Sequence, residues 1–298
     1  MSDWYTPGWI DDRDAVQEIV GTLAHPDVED TVVGEVDSSA LPERVHLWEI
    51  VRRVTGGLLP PRNQGRVGAC VGFGAARAIE YTMCAEIAAG DPEQFHALAA
   101  EVIYAGARVE VGNRRIRGDG AIGANAARWC RDWGVLARGV YGSISVETYS
   151  ESRARQWGDQ GVPDDLEGLA RLHPVRDVTR VTSWAGAKKA LASGYAISLC
   201  SHQGFVMRRN SLGICEASGR WAHCMTLCGY DRIDGVEVGR IDNSWGPDAH
   251  SGPTGPGSPG PEGFWARANI IESMLSSGDC WIFGSVEGFK VRKISWLI

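Results

Sequence analysis

The stretch Asn63-Gln64-Gly65-Arg66-Val67-Gly68-Ala69-Cys70, continuing as Val71-Gly72-Phe73-Gly74-Ala75-Ala76, changes character halfway along. It begins as a glycine-punctuated loop and becomes an apolar, alanine-rich run, with Cys70 at the junction. A thiol on the first turn of a helix sits in the field of aligned peptide dipoles, which favours the thiolate. Gln64, earlier in the loop, can swing back and offer an amide N–H to the same spot. The pattern predicts a nucleophile beside an oxyanion hole built from Gln64 and the Cys70 backbone N–H. Such a site needs a base from elsewhere in the chain.

The chain has 298 residues, 44% hydrophobic and 22% charged, enough for one domain with two subdomains or for two modest domains. A formal net charge of −7 and the lack of a basic run argue against a nucleic-acid partner. No apolar run is long enough to span a membrane. Met1-Ser2-Asp3-Trp4-Tyr5 lacks the basic and apolar regions of a secretory leader, so a cytoplasmic or other intracellular setting is expected. The eight cysteines form no compact framework. Cys84, Cys200 and Cys228 lie in apolar runs and read as reduced, buried thiols. Cys200, His202, Cys224 and Cys228 raise the question of zinc, but Met225 and Leu227 between them point to core, and no metal or cofactor is expected.

Residues 1–40 are acidic and broken by Pro and Gly, with a short amphipathic piece around Ala15 to Leu23, and read as an arm lying on the domain. Residues 41–298 then form the main domain. From Cys70 to about Ala89, Val71, Ala75, Ala78, Ile79 and Met83 recur at helical spacing. Gly90-Asp91-Pro92 is expected to stop this helix and start another, capped by Asp91, that runs to about Val109. Ala124 to Trp133 reads as a helix closed by Gly134, with Trp129 and Trp133 on one face. Gly139 to Asp164 reads as loop, Asp164-Asp165 as the start of a short helix, and Ser183 as the cap of a helix ending at Gly194.

Strands are then expected at Tyr195–Ser201, Ala222–Tyr230, Val236–Asn243, Gly263–Ile270 and Cys280–Val286. Helices first and strands second predict an α+β protein with two parts packed side by side, a helical lobe at about 60–175 and a β lobe at about 176–298. The Gly/Pro-rich insertion 246–262 reads as polyproline-like loop.

His223 opens the most hydrophobic of these strands, and Asn243-Ser244-Trp245-Gly246 ends the next. Antiparallel pairing of the two brings Asn243 to His223, where its amide oxygen can fix the imidazole's tautomer while Trp245 covers the bond. His25, His46, His96, His173 and His250 have no partner pattern and read as surface or packing residues. Gly72 and Gly74 make no nucleotide fingerprint.

The Gln-Gly-x-x-Gly-x-Cys spacing, His223 on an apolar strand ending Gly229-Tyr230, and Asn243-Ser244-Trp245-Gly246 resemble the papain-like cysteine peptidases in kind and order. Leu41-Pro42 is similar to the usual start of the mature enzyme, and Tyr104 to Arg108 and Gly263-Phe264-Trp265 also fall where that family has similar elements. The resemblance implies a papain-like fold, with a helical lobe and an antiparallel β-barrel-like lobe flanking a cleft. It implies Cys70 as nucleophile, His223 as general acid/base, Asn243 as orienter, and Gln64 with Cys70 as oxyanion hole. It places Gly118, Gly120, Gly123 and Trp245 in the substrate cleft. The reaction implied is hydrolysis of a peptide or protein through an acyl-enzyme.

Val67 stands where the family commonly has a bridging cysteine, and Val71 where it has tryptophan. The loop Gly118-Asp119-Gly120-Ala121-Ile122-Gly123 lacks the family's cysteine. These departures keep two alternatives open: a papain fold serving as a structural or assembly component, for example of a virus particle and then with protein partners, and amidase or transglutaminase chemistry on similar Cys–His machinery.

Overall fold

The apolar run after Cys70 folds as the 19-residue helix Cys70–Ala88, which is buried on nearly every side. A helix apolar around most of its circumference belongs at the centre of a domain. The computed structural model describes residues 8–91, 94–173, 175–285, 289–292, 294 and 296. In chain order its helices are α1 (Arg13–Val20), α2 (Leu47–Thr55), α3 (Cys70–Ala88), α4 (Ala100–Arg108), α5 (Gly123–Trp133), α6 (Glu151–Gln160), α7 (Asp164–Ala170), α8 (Trp184–Ala192) and α9 (Ala268–Leu275). Its strands are β1 (Val45–His46), β2 (Val140–Tyr141), β3 (Ile144–Ser145), β4 (Asp177–Arg180), β5 (Ile197–Phe205), β6 (Ala217–Ile233), β7 (Val236–Asp242), β8 (Gly263–Arg267) and β9 (Cys280–Gly284). The architecture is α+β, with most of the helices before most of the strands. Among the described residues no helix is long and apolar enough to cross a membrane.

Small residues let α3 lie close to both of its neighbours. A β-carbon at Gly72 would stand 2.4 Å from the Ala100 carbonyl oxygen, so α4 abuts that side. A β-carbon at Gly74 would stand 2.7 Å from Cys224 Sγ and 3.1 Å from the Met225 carbonyl oxygen, so β6 abuts the other. The Thr226 hydroxyl donates to the Gly74 carbonyl at 3.1 Å across this joint. Residues 8–40 enter the same core through Trp9, Val16, Ile19, Val28 and Val33.

The main sheet runs β4-β9-β5-β6-β7-β8, with β1 also on β6, and its strand pairs are antiparallel. Asp234 and Gly235, both with positive φ, make the tight turn between β6 and β7. That turn sets the register Ile233↔Val236 through Gly229↔Arg240, and a bulge between Gly229 and Leu227 then shifts it to Leu227↔Ile241 and Thr226↔Asp242. Ser183 caps α8 by accepting from the Gly186 amide at 3.0 Å, and Trp129 stacks on Trp133 at 5.2 Å, as their spacing predicts.

Several elements differ from expectation. The first is His223, which lies inside β6 rather than at its start, because polar residues 217–220 also pair with β5 across bulges. Residues 139–164 hold the β2–β3 hairpin and α6, whose buried side is only Ala154, Trp157 and Gly158, too little apolar surface to show a period. The α4 helix starts at Ala100, not near Asp91; Ala99 just before it is extended, and Leu98 makes an isolated bridge to Ala137. Pro92 lies outside the described residues, as does Val286. The run expected as one strand from Gly263 to Ile270 turns into α9 at Ala268, because Ile271, Met274 and Leu275 fall on one helical face and are buried. The insertion 246–262 is a series of turns, not polyproline helix: Gly246, Gly252, Gly255, Gly257 and Ser258 all have positive φ. His46 is buried between Asp231, at 2.9 Å, and Glu49, at 3.3 Å.

The α3–β6 joint yields a paired test. Gly74→Ala forces apart backbone and sulfur atoms and is expected to lower unfolding free energy by roughly 1–3 kcal/mol. Gly168→Ala, in α7 with open space around it, is expected to raise it by about 0.4–1 kcal/mol. Urea midpoints with unchanged m-values measure both; equal effects at the two positions would contradict the close approach.

Candidate active site

Cys70 is the first residue of α3, where the helix has no side-chain cap. It is fully buried. Burial pushes its thiol well above the ordinary range and the nearby Cys224 adds to this, while the backbone N–H groups of Cys224, Val71 and Cys70 pull it down. Burial beside Cys224, the chain neighbour of His223, thus favours the neutral thiol.

The histidine's protonation follows from its partners. Asn243 Oδ1 accepts from the Ser244 amide at 2.7 Å, and a backbone N–H can only donate. The same oxygen lies 2.8 Å from His223 Nε2, so Nε2 carries the proton. His223 Nδ1 is then the basic nitrogen, and it is buried with no hydrogen-bond partner among the described residues. The hairpin supplies the geometry: with Thr226 opposite Asp242, Asn243 falls across from Met225, on the face that His223 shares. Trp245 stacks on the imidazole at 4.3 Å and 26°. Burial lowers His223 to about 4, against the pull of Asn243, so the ring is neutral at neutral pH.

Gln64 is tied to the same strand end. Its amide oxygen accepts from the Ser244 hydroxyl at 2.7 Å, its backbone N–H donates to the Ser244 carbonyl at 2.8 Å, and its Nε2 donates to the Val67 carbonyl at 2.9 Å. The Gly246 amide donates to the Arg62 carbonyl at 2.9 Å. These contacts zip the loop before Cys70 to the residues that present Asn243.

Residues 8–10 cross the gap between the two lobes. The amides of Gly8 and Trp9 donate to the Ala222 carbonyl at 2.9 and 3.0 Å, on the β6 side. On the helical side the Ala121 amide donates to the Gly8 carbonyl at 2.8 Å, and the Ile10 amide donates to the Ala121 carbonyl at 3.0 Å. Gly8 presses onto the loop before Cys70, where a β-carbon would be 2.3 Å from the Gly68 carbonyl oxygen. The Trp9 indole is buried and donates to Asp279 Oδ2 at 2.7 Å. Asp279 also accepts from the Gly123 amide at 2.8 Å and the Trp281 indole at 2.7 Å. Burial raises this carboxyl's pKa, and those donors oppose the rise.

Of the residues expected in the cleft, Gly120 lies beneath this strap, Gly118 stands in open space, and Gly123 faces the Asp279 carboxylate. Trp245 covers the histidine. Sequence reasoning missed Ala121 and Ala222, whose main-chain groups hold the strap; their places between Gly120 and Gly123 and just before His223 were the available signals. It also missed Trp9 and Asp279, which carry no local motif, and His250. Of the two readings given for His250, surface or packing, the second holds: it is buried, and its Nε2 lies 3.1 Å from Asn243 Nδ2. All eight cysteines are free and buried, and no group of three metal-ligating side chains occurs among the described residues.

No family model matches the chain, and no curated protein matches it by sequence. Solved structures do. Xylellain, a cysteine protease from Xylella fastidiosa, superposes with a TM-score of 0.58 at 20% identity, over 84% of this chain and 88% of that one. The digestive procathepsin L 3 of Tenebrio molitor larval midgut gives 0.55 at 14% identity, over 90% and 79%. Procathepsin B S9 from Trypanosoma congolense gives 0.57 at 12% identity, over 95% and 87%. The fold is that of the papain-like cysteine proteases.

Because Trp9 anchors the strap through one buried indole, Trp9→Ala is expected to weaken its docking by about 3 kcal/mol. Amide exchange at Ile10 and Ala121 should then quicken on the order of a hundredfold, with α3 amides unchanged. Unaltered exchange at those two positions would show that the strap is held elsewhere.

Proposed function

We propose that this chain is a papain-like cysteine peptidase, hydrolysing peptide bonds through Cys70, His223 and Asn243, and that residues 8–10 hold it closed. The observation that carries this reading is the buried, unpartnered Nδ1 of His223, on a strand packed against the N-terminus of the helix that bears Cys70.

With the strap in place, burial keeps thiol and imidazole both neutral. Once it leaves and water enters, the desolvation that opposes both charges falls, and the Cys70 proton passes to His223 Nδ1. The thiolate is then held by the imidazolium and by the amide end of α3. Sγ attacks the scissile carbonyl carbon, and the carbonyl electron pair moves onto oxygen, where the Cys70 N–H and the Gln64 side-chain amide stabilise it. Collapse expels the amine, which takes the proton from Nδ1, leaving a thioester on Cys70. Nδ1 next removes a proton from water, whose oxygen attacks the thioester, and Cys70 leaves as thiolate with the acid product. Asn243 keeps Nε2 protonated throughout, so Nδ1 is the nitrogen that cycles. Ala121 and Ala222 offer a peptide substrate the main-chain groups that the strap now uses.

The second reading is a papain fold used for assembly without turnover, and the strap occupying both edges of the cleft favours it. Truncation separates the two. A chain beginning at Asp12 retains the α1 cap, in which Asp12 Oδ1 accepts from the Ala15 amide at 3.0 Å. Its Cys70 is expected to alkylate on the order of a hundredfold faster at neutral pH than in the full chain. The full chain's rate should climb only toward alkaline pH, since its thiol lies well above the ordinary range; the shortened chain's should be flat across neutrality. Cys70→Ala should abolish cleavage of a peptide library. A folded shortened chain with an ordinary thiol and no turnover would leave the assembly reading standing.

A further inference from the structure

His250 sits in the Gly/Pro-rich insertion, yet it is buried. Arg209, itself buried, donates through Nη2 to the His250 carbonyl at 2.7 Å and to the Gly252 carbonyl at 2.8 Å, and through Nη1 to the carbonyls of Pro261 at 2.8 Å and Gly263 at 2.6 Å. One guanidinium thus closes both ends of the insertion around a histidine. The ring packs against Phe264, 4.6 Å between centroids, and its two nitrogens meet Asn243 Nδ2 at 3.1 Å and Cys215 Sγ at 3.8 Å.

We propose that His250 is a positioning residue for the active site, holding the Asn243 amide in the one orientation that keeps His223 in its working tautomer. The inference rests on the peptidase reading above. The protons in this row are determined one after another. The Ser244 N–H fixes Oδ1, which makes His223 Nε2 a donor and turns the Asn243 NH2 toward His250. His250 Nε2 must therefore accept, which leaves the proton on Nδ1, facing the Cys215 sulfur. A protonated His250 could not accept. The groups facing it are Arg209, Arg240 and His223, and with burial as the largest cause they hold it at about 3. Cys215 is pushed up to about 12 and stays a neutral thiol. Burial first, and then the charges around it, keep His250 an acceptor wherever the enzyme would work. Removing it would leave an amide N–H unpaired in the interior and let the amide turn, offering NH2 to His223 and favouring the wrong tautomer.

The test uses the full chain with histidine labelled by nitrogen-15, read by long-range proton–nitrogen spectra, together with kcat and KM of the chain beginning at Asp12 on a peptide substrate. His250 is expected to carry its proton on Nδ1 and His223 on Nε2, with His250 neutral until close to pH 3. His250→Gln returns an acceptor oxygen and should keep the His223 tautomer and kcat within about threefold, whereas His250→Leu should lower kcat roughly tenfold at unchanged KM. A purely structural role would move the thermal midpoint of both variants and leave the His223 tautomer alone. His250 carrying its proton on Nε2, or glutamine and leucine variants alike in tautomer and kcat, would overturn the proposal. If the leucine variant does not fold, the wild-type tautomers and the glutamine variant decide. Should the chain beginning at Asp12 turn over no peptide, the peptidase reading fails while the tautomers still report on His250.

Discussion

Everything chemical in this molecule depends on how closely α3 approaches β6. A helix N-terminus and the middle of a strand must come nearly into backbone contact if a thiol on one is to face an imidazole on the other. Gly74 makes that possible, with Cys224 and the Met225 carbonyl where its β-carbon would be. The approach also explains why this helix shows little amphipathic pattern. It has α4 on one side, the sheet on the other and α2 on a third, so nearly every position must be small or apolar.

The exceptions on α3 are charged, and they too serve the joint. Glu80 pairs with Arg62 and Arg77, and the Tyr81 hydroxyl donates to Asp242 at 2.6 Å. Asp242 is the residue before Asn243. Burying ion pairs gains little net stability, but breaking one leaves a charge without compensation, so such contacts tolerate one register. Through Tyr81 and Asp242 the helix that carries Cys70 is keyed to the strand end that carries Asn243. Gln64 and Ser244 add a neutral version of the same lock.

Much of this could be read from residues, and the limits have physical causes. Cys70 stood out because a glycine-rich loop turned into a helix there, and Asn243 because an apolar strand ended in a turn one hairpin away from His223. Those are local signals, and antiparallel pairing of β6 with β7 brings Asn243 Oδ1 to 2.8 Å from His223 Nε2. His250 had no such signal: its position is set by Arg209 reaching across to four backbone carbonyls, a tertiary effect that leaves no trace in the spacing of Gly and Pro. Trp9 is similar. Nothing in an acidic, broken N-terminal segment shows that one indole will meet a carboxylate near the far end of the chain. The misread α9 has another cause. Ile270 and Ile271 favour strands, but burial of Ile271, Met274 and Leu275 on one face outweighs that preference.

The strap and the site share one electrostatic logic. Burial disfavours charge on Cys70 and on His223 alike, so the closed form stores a neutral pair whose proton has not moved. On the proposed reading, opening need not supply a base or rebuild the hydrogen bond to Asn243. It has only to admit water, which lowers the free energy of thiolate and imidazolium together. The main-chain groups of Ala121 and Ala222 that bind residues 8–10 are unspecific by nature, since any peptide carries matching N–H and C=O groups. The strap can therefore be displaced by the class of molecule that the site would cut, and its affinity must come from side chains. Among the described residues the strap's buried side-chain hydrogen bond is that of Trp9 to Asp279, which on the proposed reading makes this indole the contact that opening must break.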